Sequence, residues 1–143
     1  MALVRVLARE WKMEVEDELA AFVEVGGINT FAFGGSKTDA DTTGFDSEGW
    51  AEHLVAERSR TLTMEGFYIE DKDTGARDPG QEIVDGLAEK IGEEAIGNFK
   101  LTSPGGTVLT FSGSVEPSDV GGGHNDATSW GATITINGKV TKS

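Results

Sequence analysis

The sequence lacks cysteine and contains only 3 prolines and 1 tyrosine among its 143 residues. Without cysteine there is no disulfide to stabilise the fold, and a zinc site would have to be built without thiolate ligands. A chain of this length buries roughly 68–70% of the surface that its unfolded form exposes, so a hydrophobic core can stabilise it without a disulfide. We therefore expect a single domain over residues 1–143, compatible with a reducing cytoplasm.

Basic residues are scarce. There are 12 lysines and arginines against 25 aspartates and glutamates, which gives a formal net charge of -13. Proteins that bind nucleic acid tightly gain affinity when lysine and arginine neutralise phosphates and release counterions. This chain would mostly repel DNA, which argues against a role in gripping it. A surface selected for solubility alone would show the same acidity.

Long apolar runs are also missing. The first nine residues are mostly apolar but are interrupted by Arg5 and end at Arg9, whereas a secretory signal has an uninterrupted apolar run of about 7–15 residues. No stretch approaches the roughly 18 apolar residues of a membrane-spanning helix. We expect a short N-terminal arm over about residues 1–9, no membrane insertion, and assembly in the cytosol.

The sequence does contain repeated alternation of apolar and polar residues, which is the period of a half-buried strand. The pattern is clearest near the C-terminal end, where Trp130, Ile134 and Ile136 face one way and Thr133 and Thr135 the other. The 20 glycines supply turns between such strands. Strands are predicted at residues 11–15, 22–25, 28–33, 54–69, 99–102, 109–115 and 130–140.

One amphipathic helix is predicted over about residues 79–92, beginning with a proline at its first position. Asp78 is a good N-cap, and Gln81 stands where the partner of a capping box belongs. Apolar residues then recur at helical spacing as far as Ile91, and Gly92 is placed as a C-terminal stop.

Six to eight strands with one helix indicate a mainly β fold, namely a β-sandwich or half-barrel of antiparallel strands flanked by the amphipathic α-helix. The two periodicities also select the residues that face the interior. The predicted core consists of Trp11, Leu62, Met64, Ile83, Leu87, Ile91, Leu109, Phe111, Trp130, Ile134 and Ile136.

A long polar loop is predicted at about residues 36–49. Loops of this length inside compact domains are uncommon and often functional. Phe45 is an aromatic residue among polar neighbours, so it is a candidate anchor for a pocket on another molecule. We expect the loop to be mobile in an isolated subunit and ordered by assembly, because ordering costs roughly 1–2 kcal/mol per residue in backbone freedom. The alternative is a loop folded on its own domain, with Phe45 covering a satellite core.

Catalytic and cofactor motifs are missing from the sequence. His53 and His124 are far apart and too few for a zinc site, and there is neither a nucleophile elbow nor a phosphate-binding loop. Asp39 and Asp41 have the spacing of the first ligands in a calcium loop, but the twelfth position is Trp50 rather than a bidentate glutamate. We expect no enzyme activity, no metal and no cofactor.

Seven segments follow one another across nearly the whole chain. Each segment alone is a weak signal and none is a catalytic signature, but their order and spacing together are specific for one family. They are the strand that begins at Trp11 and residues 22–28, 39–50, 61–67, 74–81, 101–106 and 130–139. In this order and spacing the sequence resembles the major tail tube proteins of siphovirus-type bacteriophages. The same fold is shared by the tubes of contractile tails and type VI secretion systems.

The resemblance implies a β-sandwich or half-barrel with a flanking helix, which forms homohexameric rings that stack into a hollow tube in the virion tail. Genome DNA would pass through the tube without specific binding. The resemblance also implies tape-measure, distal tail and tail terminator proteins as partners. The family uses its long loop to reach adjacent subunits and the next ring. That use assigns inter-subunit contacts to Lys37, Asp39, Asp41, Thr43, Phe45, Asp46 and Glu48.

The alternative function is a monomeric β-sandwich binding module for carbohydrate or protein. Such a module would share the fold class, the turns and the acidity. It would also present exposed aromatic platforms, whereas Trp11, Trp50 and Trp130 are interpreted as core or interface residues. For a ring, six copies would carry a formal charge of about -78. The sequence leaves open whether that charge lines the lumen or the outer wall.

Overall fold

Eight β-strands form one antiparallel sheet in the computed structural model, which describes residues 2–143. Within these residues there is one α-helix, α1 (Pro79–Ala88). The strands are β1 (Lys12–Glu16), β2 (Phe22–Glu24), β3 (Ile28–Asp41), β4 (His53–Phe67), β5 (Ile96–Thr102), β6 (Val108–Pro117), β7 (Ser129–Ile136) and β8 (Thr141–Lys142). The predicted fold class, antiparallel and mainly β with one flanking helix, is confirmed.

The sheet is strongly curled but does not close. Its strand order is β2-β1-β5-β6-β7-β4-β3, and β8 pairs with β6 beside this path. β3 and β6 are separated by two strands in this order, yet the rings of Phe33 and Phe111 have centroids 5.8 Å apart. The sheet therefore folds over onto itself as a half-barrel, with β2 and β3 as its two open edges.

The hydrophobic core fills the inside of this curl. Val15, Met64, Phe99, Ala132 and Ile134 are completely shielded from solvent. The predicted core residues Leu62, Met64, Leu87, Phe111, Trp130, Ile134 and Ile136 are buried, and Trp11, Ile83 and Leu109 are partly buried against them. Successive side chains of a strand point to opposite faces of the sheet, so every second residue faces the core. In β1, for example, Met13 and Val15 are buried, whereas Glu14 and Glu16 are only partly buried.

Helix α1 begins as predicted and ends earlier than predicted. Asp78 caps it by accepting a hydrogen bond from the backbone N–H of Gln81. The Gln81 side chain does not return to the cap, however; it is buried and reaches backbone groups of the neighbouring strands and loops. No helix among residues 2–143 is long and apolar enough to span a membrane.

The predicted assignment of Ile91 to the core was wrong, because Ile91 is 92% exposed. The last helical residue is Ala88, and Ile91 already has an extended backbone, with φ -129° and ψ 146°. Gly92 adopts a positive φ of 78° and begins a short 3-10 turn rather than stopping the α-helix. The apolar periodicity of the sequence continues to Ile91, although the helix itself ends at Ala88.

The prediction of a loop beginning at residue 36 was also wrong. β3 continues to Asp41, and its residues pair with β4 from Ser36 opposite Ser59 to Asp41 opposite His53, with one register shift between Thr38 and Asp39. The physical reason is that β4 is 15 residues long and pairs with β3 from His53 to Gly66. The connection that remains is residues 42–52. The mobility expected of this region stays a prediction.

Candidate assembly surfaces

The most exposed part of the sheet is a two-stranded ribbon made of residues 35–41 and 53–60. β7 pairs with β4 only from Thr61 onward, so the ribbon strands pair with each other alone among the described residues. Every ribbon residue is exposed. A two-stranded hairpin is at best marginally stable by itself in water, and its outer edges present unpaired backbone groups. The ribbon is therefore suited to contact with another molecule.

One face of the ribbon is basic near the sheet. Lys37 lies opposite Arg58 in the register, and Arg60 lies two residues further along the same face. The guanidinium carbon of Arg60 is 4.4 Å from the ring centroid of Phe33, a cation–π contact. Three of the 12 basic residues of the chain therefore share one face of the ribbon.

Toward its tip, the ribbon becomes acidic. An Asp39 carboxylate oxygen lies 3.5 Å from Nζ of Lys37 and 3.7 Å from Nε2 of His53. These are exposed pairs and stabilise the ribbon by at most about 1 kcal/mol. Asp41 accepts a 2.9 Å hydrogen bond from the backbone N–H of Thr43, and this bond lowers the pKa of the Asp41 carboxyl.

The ribbon tip, residues 42–52, is closed by its own hydrogen bonds. The Thr43 hydroxyl donates to the carbonyl of Glu52 (3.1 Å) and accepts from the N–H of the same residue (2.8 Å). The Ser47 hydroxyl accepts from the N–H of Gly44 (3.1 Å). Two aromatic side chains project from this frame, because Phe45 is 110% exposed and Trp50 is 77% exposed. Trp50 is therefore not a core residue, and Phe45 covers no satellite core.

A cavity of about 410 Å³ opens where the curled sheet fails to close, between the start of β1 and the start of β3. Its walls are mainly apolar, and the rings of Trp11 and Phe31 meet there with centroids 5.6 Å apart. Arg9 and Glu24 are the charged lining residues. The apolar lining residues are Trp11, Met13, Val25, Ile28, Phe31, Leu62, Met64 and Leu101, with Ala8 at the edge.

The N-terminal arm lies beside this cavity and has no regular secondary structure over residues 2–7. Its apolar side chains are exposed, with Leu3 at 88% and Val4 at 78%. Arg5 and Arg9 make the arm basic. Exposed apolar residues in sequence clusters of this kind commonly mark contact sites.

The structure separates the predicted loop residues into two groups. Lys37, Asp39 and Asp41 lie on β3, whereas the tip contains Thr43, Phe45, Asp46 and Glu48. Sequence reasoning predicted the β4 half of the ribbon as part of a strand over residues 54–69, but it missed the pairing of that half with residues 36–41, and it missed the cavity. A signal for the ribbon was present, because a strand over residues 54–69 needs a partner longer than the six residues predicted at 28–33.

The residues considered as metal ligands in the sequence form no metal cluster in the described chain. His53 lies at the start of β4, and His124 is an exposed loop residue. Among residues 2–143 there is no group of three or more histidine, aspartate or glutamate side chains placed to hold a metal ion. Asp39 and Asp41 instead make the lysine, histidine and backbone contacts described above.

Known structures provide the comparison, because no family model and no curated protein matches the sequence. A chain in the virion of a native gene transfer agent particle aligns with a TM-score of 0.69 at 17% identity, over 97% of this chain and 99% of that one. A chain in the tail of an empty gene transfer agent particle, refined helically with C6 symmetry, gives 0.70 at 18% identity with the same coverage.

A chain in the six-fold symmetrised baseplate of the anti-feeding prophage aligns with a TM-score of 0.64 at 11% identity, over 100% of this chain and 97% of that one. At these identities the comparison shows the fold. The protein shares its fold along nearly its whole length with these chains of gene transfer agent and anti-feeding prophage particles.

Proposed function

We propose that the protein is a structural subunit of a phage tail tube, in which six copies form a ring and rings stack into a hollow tube. The observation that carries this proposal is the ribbon with its exposed tip, attached to a fold shared with chains of C6-symmetric tail particles. An isolated subunit gains little from keeping such a ribbon extended in water. A subunit in an assembly gains contact area from it.

The open edges of the sheet support ring formation. β2 and β3 each carry one unpaired side, and unpaired edges are templates for pairing with another chain. In a closed ring each subunit's edge is paired by its neighbour, so no edge remains free. This arrangement would join the curled sheets of the six subunits around a central lumen.

The charge supports a conduit rather than a DNA-binding protein. A net charge of -13 per subunit repels a polyanion, so DNA would slide through the tube without specific binding. The role is structural and not catalytic. The further partners would be a tape-measure protein inside the tube during assembly, and distal tail and tail terminator proteins at its ends. The tube would belong to the virion tail after assembly in the bacterial cytoplasm.

One observation favours the alternative of a monomeric binding module. Phe45 and Trp50 are both exposed on the ribbon tip, and exposed aromatic side chains are typical of carbohydrate- or protein-binding surfaces. In the tube proposal the same side chains contact neighbouring subunits. The two functions therefore differ in whether the protein associates with itself.

Size-exclusion chromatography with light scattering, combined with negative-stain imaging, separates them. The full chain is concentrated stepwise and imaged at each step. The tube proposal predicts a rise in mass with concentration and images of rings or tubes. A mass that stays monomeric at the highest concentration, with no rings, would refute the tube and favour the binding module.

A further inference from the structure

The cavity between β1 and β3 exposes apolar surface that a folded monomer would ordinarily cover. Trp11 and Phe31, which form its aromatic wall, are only partly buried. Leu62 and Met64 of the main core lie at its floor and are themselves buried. The apolar surface in contact with water therefore belongs to Trp11, Ile28 and Phe31. Apolar surface left in contact with water costs free energy, and an apolar side chain that enters the cavity removes that cost.

We infer that the cavity of one subunit receives the ribbon tip of a second subunit, with Phe45 as the side chain that enters. The inference rests on the proposed function, because it supplies the receptor for a contact between copies. It assigns the cavity a second copy of this chain as its occupant.

The size and chemistry of the two surfaces match. The cavity volume of about 410 Å³ lies toward the small end of the roughly 300–1,000 Å³ range of ligand pockets, which is ample for one aromatic side chain. Phe45 is 110% exposed and is held on a tip closed by hydrogen bonds. Buried aromatic anchors on preorganised segments dominate the energetics of protein interfaces.

The cavity edge does not share the acidity of the rest of the chain. The tip carries three carboxylates near Phe45, those of Asp46, Glu48 and Glu52. The cavity edge carries Arg9, and the adjoining arm carries Arg5. Glu24 is the one carboxylate among the lining residues. Glu10 follows Arg9 in the sequence, so the charges at this edge balance. On a chain with 12 basic and 25 acidic residues, a neutral edge repels an acidic occupant less than the average surface does.

The reach of the ribbon excludes insertion within one subunit. Phe31 lines the cavity, and β3 then runs ten residues further to Asp41. At about 3.3 Å per residue the tip stands roughly 30 Å from its own cavity. A tip can therefore enter only the cavity of another copy.

Directed disulfide cross-linking tests this contact, because the chain has no cysteine of its own. The Asp46→Cys variant, which keeps the Phe45 anchor, is mixed with the Ala8→Cys variant, with a size tag on one of them, and oxidised under assembly conditions. Ala8 lies at the cavity edge. The control mixture pairs Asp46→Cys with Ile91→Cys, a position that is 92% exposed and belongs to neither surface. The expected heterodimer yield is at least about tenfold above the control.

The outcomes separate the inference from the proposed function. Rings or tubes without an excess of the Asp46–Ala8 cross-link would overturn the inference and leave the tube proposal standing. A specific cross-link without rings or tubes would support the contact and contradict the tube.

Substitutions that leave the subunit folded give an independent readout. Phe45→Ala should raise the critical concentration for assembly at least about tenfold, and Phe45→Leu should restore most of it. Arg9→Glu and Asp46→Arg should each raise it about two- to fivefold, and the double variant should return toward the unmodified value. Equal effects of the two Phe45 substitutions, or strictly additive effects of the two charge reversals, would contradict the assignment.

Discussion

Gln81 shows at the residue scale how the helix is attached to the sheet. Its side chain is 0% exposed, and its Nε2 donates to the carbonyls of Gly26 (2.9 Å) and Phe67 (2.7 Å). Its Oε1 accepts from the N–H of Ile69 at 3.3 Å. The same turn of helix approaches so closely that a Cβ on Gly80 would clash with the carbonyl of Glu24. One amide group therefore satisfies three backbone groups from two distant segments.

Replacing this amide should be costly. In Gln81→Leu the two carbonyls and the N–H lose their partner, and each unsatisfied buried group costs about 1–3 kcal/mol. We expect the free energy of unfolding, measured by urea titration of dilute protein, to fall by at least about 2 kcal/mol. The adjacent exposed Glu82 is the control, since Glu82→Gln should change the value by less than about 0.5 kcal/mol. Equal effects of the two substitutions would contradict the attachment described here.

Leu87 and Ile91 form a matched pair on the same periodic stripe of sequence. Leu87 is 9% exposed and Ile91 is 92% exposed. Leu87→Ala should lower the free energy of unfolding by about 2–4 kcal/mol because it leaves a cavity against β5. Ile91→Ala should change it by less than about 0.5 kcal/mol. A loss of similar size for both would mean that the helix continues past Ala88 and buries Ile91.

At the scale of elements, the ribbon should be dispensable for folding and necessary for assembly. None of the residues in its two strands is buried, so the ribbon contributes nothing to the core. Residues 37–58 can be replaced by Asn-Gly, a two-residue turn that joins the cross-strand pair Ser36 and Ser59. We expect the free energy of unfolding to change by less than about 1 kcal/mol, and ring stacking to be lost in negative-stain images. Normal tubes from the shortened chain, or outright unfolding, would rule out the assembly role.

The elements differ in how far the sequence alone predicts them, for physical reasons. The start of α1 depends only on neighbouring residues, namely the Asp78 cap and the proline after it, and it was predicted correctly. The end of α1 and the length of β3 depend on which partners lie nearby in space. Polar residues 36–41 form a strand because β4 pairs with them. The cavity arises from incomplete closure of the sheet, which alternation of residues does not encode.

At the scale of the whole molecule, the acidic charge should prevent tight binding to DNA. The fold concentrates three basic side chains on one ribbon face, but the net charge is -13. We expect the free subunit to show no nanomolar binding of a labelled duplex by fluorescence anisotropy, at about 50 mM or about 200 mM salt. A nanomolar complex that weakens steeply with salt would demand a basic footprint and would contradict the conduit role.

The most direct test of the central claim is the rotational symmetry of the assembled particle, measured by cryo-electron microscopy of end-on views of the full chain. The account predicts rings of six subunits around an open channel, with ribbons bridging between rings in side views. Particles without a central channel, rings of another subunit number, or ribbons that project freely into solvent would contradict it.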